Sequence, residues 1–325
     1  MKKINLTLLT ILMTTLSIFA QDKKEFKPSG KAFAKIFTNF HTGIGSENDN
    51  QGFELQRAYF GYKYSFAKGL TGKVTLDIGN PANGSKLENT VYVKNAMLNW
   101  KEGNLSVDFG LIGTKAFKVQ EKFWGNRYIF KSFQDKHKYN TSADMGISAT
   151  YKITNGLSID GIIMNGEGYK KLQSDNKYRY GAGVTYVIDG LTLRAFTDVY
   201  SKQEDNQKNQ STVALFAGYK LKQFSIGAEY NILSNYKFTE DNNVNGVSIY
   251  SAYKASKKIK LFGRYDQLMS NDNWNEDNDG SAIIAGLEYS PIKNLKIAPN
   301  VQVWNPKKDG SDNETYAYLS LQIAF

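Results

Sequence analysis

The chain has 325 residues, a net charge of +10, 14% aromatic side chains, no cysteine and a mean hydropathy of −0.47. Without cysteine, neither disulfides nor thiolate metal sites can staple it. Past residue 20 no apolar run of eighteen residues occurs, so helical membrane spans are excluded.

The N-terminus, "MKKINLTLLTILMTTLSIFAQ", has two lysines, an apolar stretch of about a dozen residues and then Ala20, the layout of a secretory signal cleaved after that alanine. Residues 1–20 are therefore expected to be removed, and residues 21–30 to form a short periplasmic N-terminal segment. Residues 31–325 are expected to form one transmembrane β-barrel domain. Over that stretch, segments of about ten residues alternate apolar and polar, long enough to cross a bilayer as tilted strands. In "LTGKVTLDI", Leu70, Gly72, Val74, Leu76 and Ile78 face one way and Thr71, Lys73, Thr75 and Asp77 the other.

About sixteen such segments start near residues 32, 53, 70, 91, 105, 143, 157, 177, 191, 213, 224, 246, 259, 282, 295 and 315. Those near 32, 91, 246 and 282 are the least regular, and Pro299 is awkward in a paired strand, so the count is good to about two. The connections alternate strictly in length. Tight ones at 66–69, 101–104, 154–157, 189–190, 220–223, 256–258 and 291–294 are interleaved with hydrophilic ones at 42–51, 79–90, 113–141, 165–176, 201–211, 233–243, 270–280 and 305–313. Short turns on one side and long loops on the other are how an outer-membrane barrel is built.

A soluble sandwich or propeller alternates too. Three features count against it: the short–long rhythm, the tyrosines on the apolar face, and the lack of apolar character in most long loops. The expected fold is all-β, a transmembrane antiparallel barrel of about sixteen strands in the outer membrane of a Gram-negative cell. The final "TYAYLSLQIAF" would be the strand that closes it against the first.

With the apolar face toward lipid, the other face carries the charges. The expected pore wall includes Arg57, Lys63, Lys73, Arg179, Arg194 and Arg264, with Lys35, Lys152, Lys177, Lys220, Lys260 and Lys296 on the same face. Seven carboxylates oppose these twelve cations: Asp77, Asp108, Asp144, Asp160, Asp198, Glu229 and Asp266. A one-residue slip would exchange the faces of any strand. A charged interior needs water, which favours a channel over a plugged barrel.

The longest connection, 113–141, is rich in aromatics: Phe117, Phe123, Trp124, Tyr128, Phe130 and Phe133. So much apolar surface calls for burial, so this third long loop is expected to fold into the lumen. Its cations Lys115, Lys118, Lys122, Arg127, Lys131, Lys136 and Lys138 would then form the constriction and select anions electrostatically. The alternative is a surface loop whose lysines are merely solvated.

"FELQRAYFGYKYSFAKGLTGKVTLDI", "VYVKNAMLNW", "LSVDFGLIGTKAFKVQEKFW" and "NRYIFKSFQDKHKYNTSADMGI" resemble strands and the third loop of the phosphate-selective porins of the O/P type, best over residues 53–166. The resemblance implies a sixteen-stranded barrel, commonly a homotrimer, that passes small anionic solutes such as phosphate. The terminal strand ending in Phe325 likewise resembles the signal by which outer-membrane barrels engage the barrel-assembly machinery. One departure stands out: strongly phosphate-selective members carry a ladder of arginines, whereas here arginine occurs only at 57, 127, 179, 194 and 264. Arginine reads phosphate bidentately and lysine acts as a point charge, so weak anion preference or general diffusion fits better than a tight phosphate site.

Other classes find less support. The two histidines, His41 and His137, read as polar loop residues rather than members of a hydrolase site, so no catalytic residue is assigned. No metal site and no cofactor are assigned either, since "SNDNWNEDNDG" lacks the bidentate Glu of an EF-hand. The lysines are spread rather than gathered on one patch, against a nucleic-acid partner. A barrel that displays its loops in a structural or adhesive role is the remaining alternative.

Overall fold

The computed structural model describes residues 26–45, 50–79 and 89–325. The expected signal at 1–20 and residues 21–25 lie outside them. Sixteen strands follow one another: β1 Ser29–Gly43, β2 Gln51–Ala67, β3 Leu70–Gly79, β4 Thr90–Glu102, β5 Leu105–Gly113, β6 Ala143–Lys152, β7 Leu157–Met164 and β8 Arg179–Ile188 come first. After them come β9 Leu191–Tyr200, β10 Gln210–Lys220, β11 Phe224–Ser234, β12 Val244–Lys254, β13 Ile259–Ser270, β14 Gly280–Ile292, β15 Leu295–Pro306 and β16 Glu314–Ala324. Each starts within three residues of its expected position. β1 takes in Ser29 and Gly30, which the sequence reading had placed before the barrel, and Pro299 is held inside β15 opposite Leu319.

Every strand pairs antiparallel with its neighbours in sequence, and β1 pairs with β16, so the sheet is a closed barrel. The seam runs from Lys35 opposite Ala324 to Gly43 opposite Tyr316. Phe325 extends it, its N–H donating to the Ala34 carbonyl and its carbonyl accepting from the Ala34 N–H. Closure leaves no edge strand, as hydrocarbon demands. The outward face is apolar around the wall: Phe60, Tyr62, Val74, Leu98, Ile147, Ile163, Tyr180, Leu215, Ile249 and Ile283 are all exposed. Such a continuous apolar exterior marks a lipid-facing surface.

Among the described residues the register shifts at four places, two of them near strand ends at Ser65–Ala67 and Tyr289–Ile292 and two in the middle of the wall. In β2, Phe37 faces Arg57 while Thr38 faces Leu55, leaving Gln56 as the extra residue. In β4, Thr75 faces Asn95 while Leu76 faces Val93, so Lys94 is the extra residue. A bulge re-aims the side chains on either side of it. Here it turns both Lys94 and Asn95 toward the interior.

The buried apolar core lies inside the barrel, between the wall and residues 114–142. This inner loop carries two short helices, α1 Lys118–Trp124 and α2 Phe133–Lys136. Its Phe117, Phe123, Trp124, Tyr128 and Phe133 are all buried.

Candidate functional site

The inner loop crosses the lumen and docks on the inward face of β7–β15 and β1. Phe123 packs edge-on against Phe216, and Trp124 against Phe262 and Tyr250; Tyr128 lies beside Phe37. Each buried aromatic contributes about 1.5–3 kcal/mol. Glycines in the wall make the sockets. Gly218 and Gly227 face each other across β10 and β11, and a Cβ on either would press into the Phe123 ring. A Cβ on Gly246 would collide with Phe133.

Three arginines fix the loop's backbone. Arg194 is paired with Asp160 and donates from Nη2 to the Lys115 carbonyl (2.7 Å). Arg264 is paired with Asp266 and donates from Nη1 to the Lys131 carbonyl (3.0 Å). Arg179 is paired with Asp198 and donates from Nη2 to the Tyr139 carbonyl (2.9 Å). The loop is thus tied near its start, middle and end. All three side chains are buried, so their charge meets carboxylates and loop carbonyls rather than open water, which differs from the pore-wall expectation for these residues. The alternation placed them on the inward face; the loop covers that face.

On the short-turn side of the inner loop lies a cavity of about 690 Å3, reaching down to Asn294 and Phe325. Its lining includes Lys31, Lys35, Lys73, Lys94, Lys118, Lys122 and Arg127 against one acidic side chain, Glu121. Lys118 and Arg127 both pair with Glu121 (2.6 and 3.0 Å), and Arg127 also reaches Asp135 (3.0 Å). Burial alone would raise the Glu121 carboxyl, but these two cations outweigh it and hold it below the usual carboxylate range. Among the described residues, Lys31, Lys35, Lys73 and Lys122 have no carboxylate within ion-pair distance. Lys31, Lys63 and Lys73 face one another in register across β1, β2 and β3, a row of like charges that costs stability.

Of the expected constriction residues, the structure brings Lys118, Lys122 and Arg127 into this cavity. Lys115 is paired with Asp108 at the root of the loop (3.1 Å). Lys131 is exposed beyond Arg264. Lys136 lines an outer hollow of about 390 Å3 with Asp277, Glu314 and Tyr316, and Lys138 lines a neighbouring one with Tyr236 and Trp274. From the expected wall set, Lys73 lines the basic cavity, Lys63 adjoins it in register, and Arg57 is paired with Asp77 (3.1 Å).

Three groups escaped the sequence reading. Lys94 sits 3.6 Å from Asp77 and over the rings of Tyr59 and Tyr169. Its signal was there: apolar residues step from 91 and 93 to 96, 98 and 100, a break in period two. Tyr169, from the loop after β7, donates its hydroxyl to Asp77, so a second loop also folds inward. Glu288 accepts from Lys260, Lys296 and the Tyr128 hydroxyl, tying the inner loop to β13–β15. As for the histidines, His41 pairs with Asn39 (3.1 Å) and His137 packs on Phe133.

A closed sixteen-stranded barrel with an apolar exterior, a charged interior and a long inward-folded loop is a porin-like channel of the outer membrane. The chain belongs to the family described as "Putative beta-barrel porin-2, OmpL-like", whose profile matches residues 139–325. This match lies mostly beyond the stretch that resembles the phosphate-selective porins, and it is to a different porin family. Among solved structures, the chain is similar to OmpF of Salmonella typhi, solved in complex with daunomycin (15% identity, TM-score 0.70, covering 91% of this chain and 97% of that one). It is also similar to an anion-selective porin from Comamonas acidovorans (12% identity, TM-score 0.70, 92% and 100%). The outer membrane channel DcaP of Acinetobacter baumannii matches as well (13% identity, TM-score 0.66, 94% and 100%). No curated protein sequence matches the chain.

Proposed function

We propose that the protein is a passive diffusion channel for small solutes that prefers anions, with the inner loop as its constriction. One observation carries this reading: seven basic side chains against one acidic side chain line the cavity beneath that loop. Fixed cations in a confined passage favour anions because the barrel wall limits the screening that bulk water would give them. The anion selectivity named for the Comamonas acidovorans porin is consistent with it. Phosphate belongs to the permeant set as one small anion among others. Export by the N-terminal signal, assembly through the strand ending at Phe325, and a homotrimer in the membrane complete the proposal.

The double variant Lys118→Glu with Lys122→Glu tests it. Both side chains point from α1 into the cavity and neither anchors the loop to the wall. In a planar bilayer with a potassium chloride gradient, the variant's zero-current potential is expected to move toward the cation side. A potential identical to that of the unmodified protein would contradict the proposal.

A further inference from the structure

The basic cavity is more apolar than a route for inorganic ions requires. Phe33, Phe37, Tyr59 and Phe117 contribute to its wall. Phe33 is only half-buried, and the Lys73 ammonium stands 5.6 Å from its ring centroid. A ring-sized apolar body carrying an acid group would therefore meet an aromatic surface and a cation side by side.

The chemistry available for phosphate is correspondingly poor. Phosphate is recognised best by a free guanidinium fork. The one arginine in the lining, Arg127, gives its Nε to Glu121 and its Nη2 to Asp135. What remains is lysine, a point charge that does not distinguish a phosphate from a carboxylate or a sulfonate.

We infer that this cavity is a subsite for amphipathic organic anions, an acid group on an apolar body about the size of a phenyl ring, and that inorganic phosphate is not its preferred occupant. The inference rests on the anion-preferring reading above and names the solute class for the same passage. The acid group lies among the ammonium groups of Lys35, Lys73 and Lys118, while the apolar body covers Phe33.

The test is a titration of the open-channel chloride current of the full mature chain with acetate, benzoate and inorganic phosphate. Benzoate is expected to halve the current at about tenfold lower concentration than acetate, and phosphate to do no better than acetate. Phe33→Ser is expected to bring benzoate to the level of acetate. Equal block by benzoate and acetate in the unmodified protein would overturn the inference, as would phosphate blocking most strongly. Neither result would touch the anion preference, which the zero-current potential reads separately. The comparison of the three anions stands on the unmodified protein, whatever the variant does to folding.

Discussion

His137 shows how a single side chain can tie the seating of the inner loop to pH. Its ring centroid is 4.5 Å from that of Phe133, and its Nε2 is buried without a partner. Burial pushes the imidazole from 6.5 down to about 4; Asp266 opposes the shift, while Lys136 and Arg264 add to it. A released loop would take up this proton near 6.5 and a seated loop only near 4. Between those values the released form binds more protons, so the seated form is fully favoured above about 6.5 and loses stability as pH falls toward 4. Glu121 acts in the same sense at lower pH, because its folded pKa is depressed and protonation weakens its pairs with Lys118 and Arg127. Single-channel recordings should therefore grow noisier from pH 7 to pH 4.5, with brief excursions as the loop leaves its seat. His137→Phe should remove the part of that change that occurs above pH 5. The same noise at every pH in the variant and the unmodified protein would show that His137 does not hold the loop.

At the scale of elements, the strands were legible and the docking of the loop was not. Lipid outside and water inside impose a period of two on every strand, so "LTGKVTLDI" announces β3 by itself. The inner loop announced its need for burial through its aromatics, but not which surface would receive them. Gly218 and Gly246 read in the sequence as unremarkable strand glycines; only the closed barrel brings them under Phe123 and Phe133. Arg179, Arg194 and Arg264 were assigned the inward face, yet no local pattern says that an aspartate and a loop carbonyl await each of them. Lys94 lay within reach, since its bulge leaves a break in the alternation. Gly246→Val tests the socket. Overpacking of this kind costs about 1–3 kcal/mol, which shifts the loop from seated to released by roughly 5–150-fold. Conductance and noise should rise and anion preference should fall. The heat-modifiable mobility of the folded barrel should stay as it was, because the added methyls point inward, away from the lipid face. Unchanged conductance in a folded Gly246→Val barrel would mean that Phe133 is not seated there.

Across the whole molecule, the barrel and the loop divide the work. Closure of β1 on β16 gives a wall that satisfies its own backbone in hydrocarbon, which leaves the interior free to carry charge. The inner loop takes up the β7–β15 side of that interior, with the arginine–aspartate pairs beneath it, and leaves the lysines of β1–β4 facing its own Lys118, Lys122 and Arg127. The acidic groups Asp277 and Glu314 line the hollow on the opposite side of the loop. The lysines of β1–β4 and of α1 are therefore gathered on one side of the loop and the acidic groups Asp277 and Glu314 on the other. The most direct test of this account is the zero-current potential of the refolded, mature chain in a planar bilayer across a potassium chloride gradient. Stable conductance steps and a potential of the sign set by chloride are expected. Steps with a potential set by potassium would contradict that expectation, as would a folded, membrane-inserted barrel that passes no current.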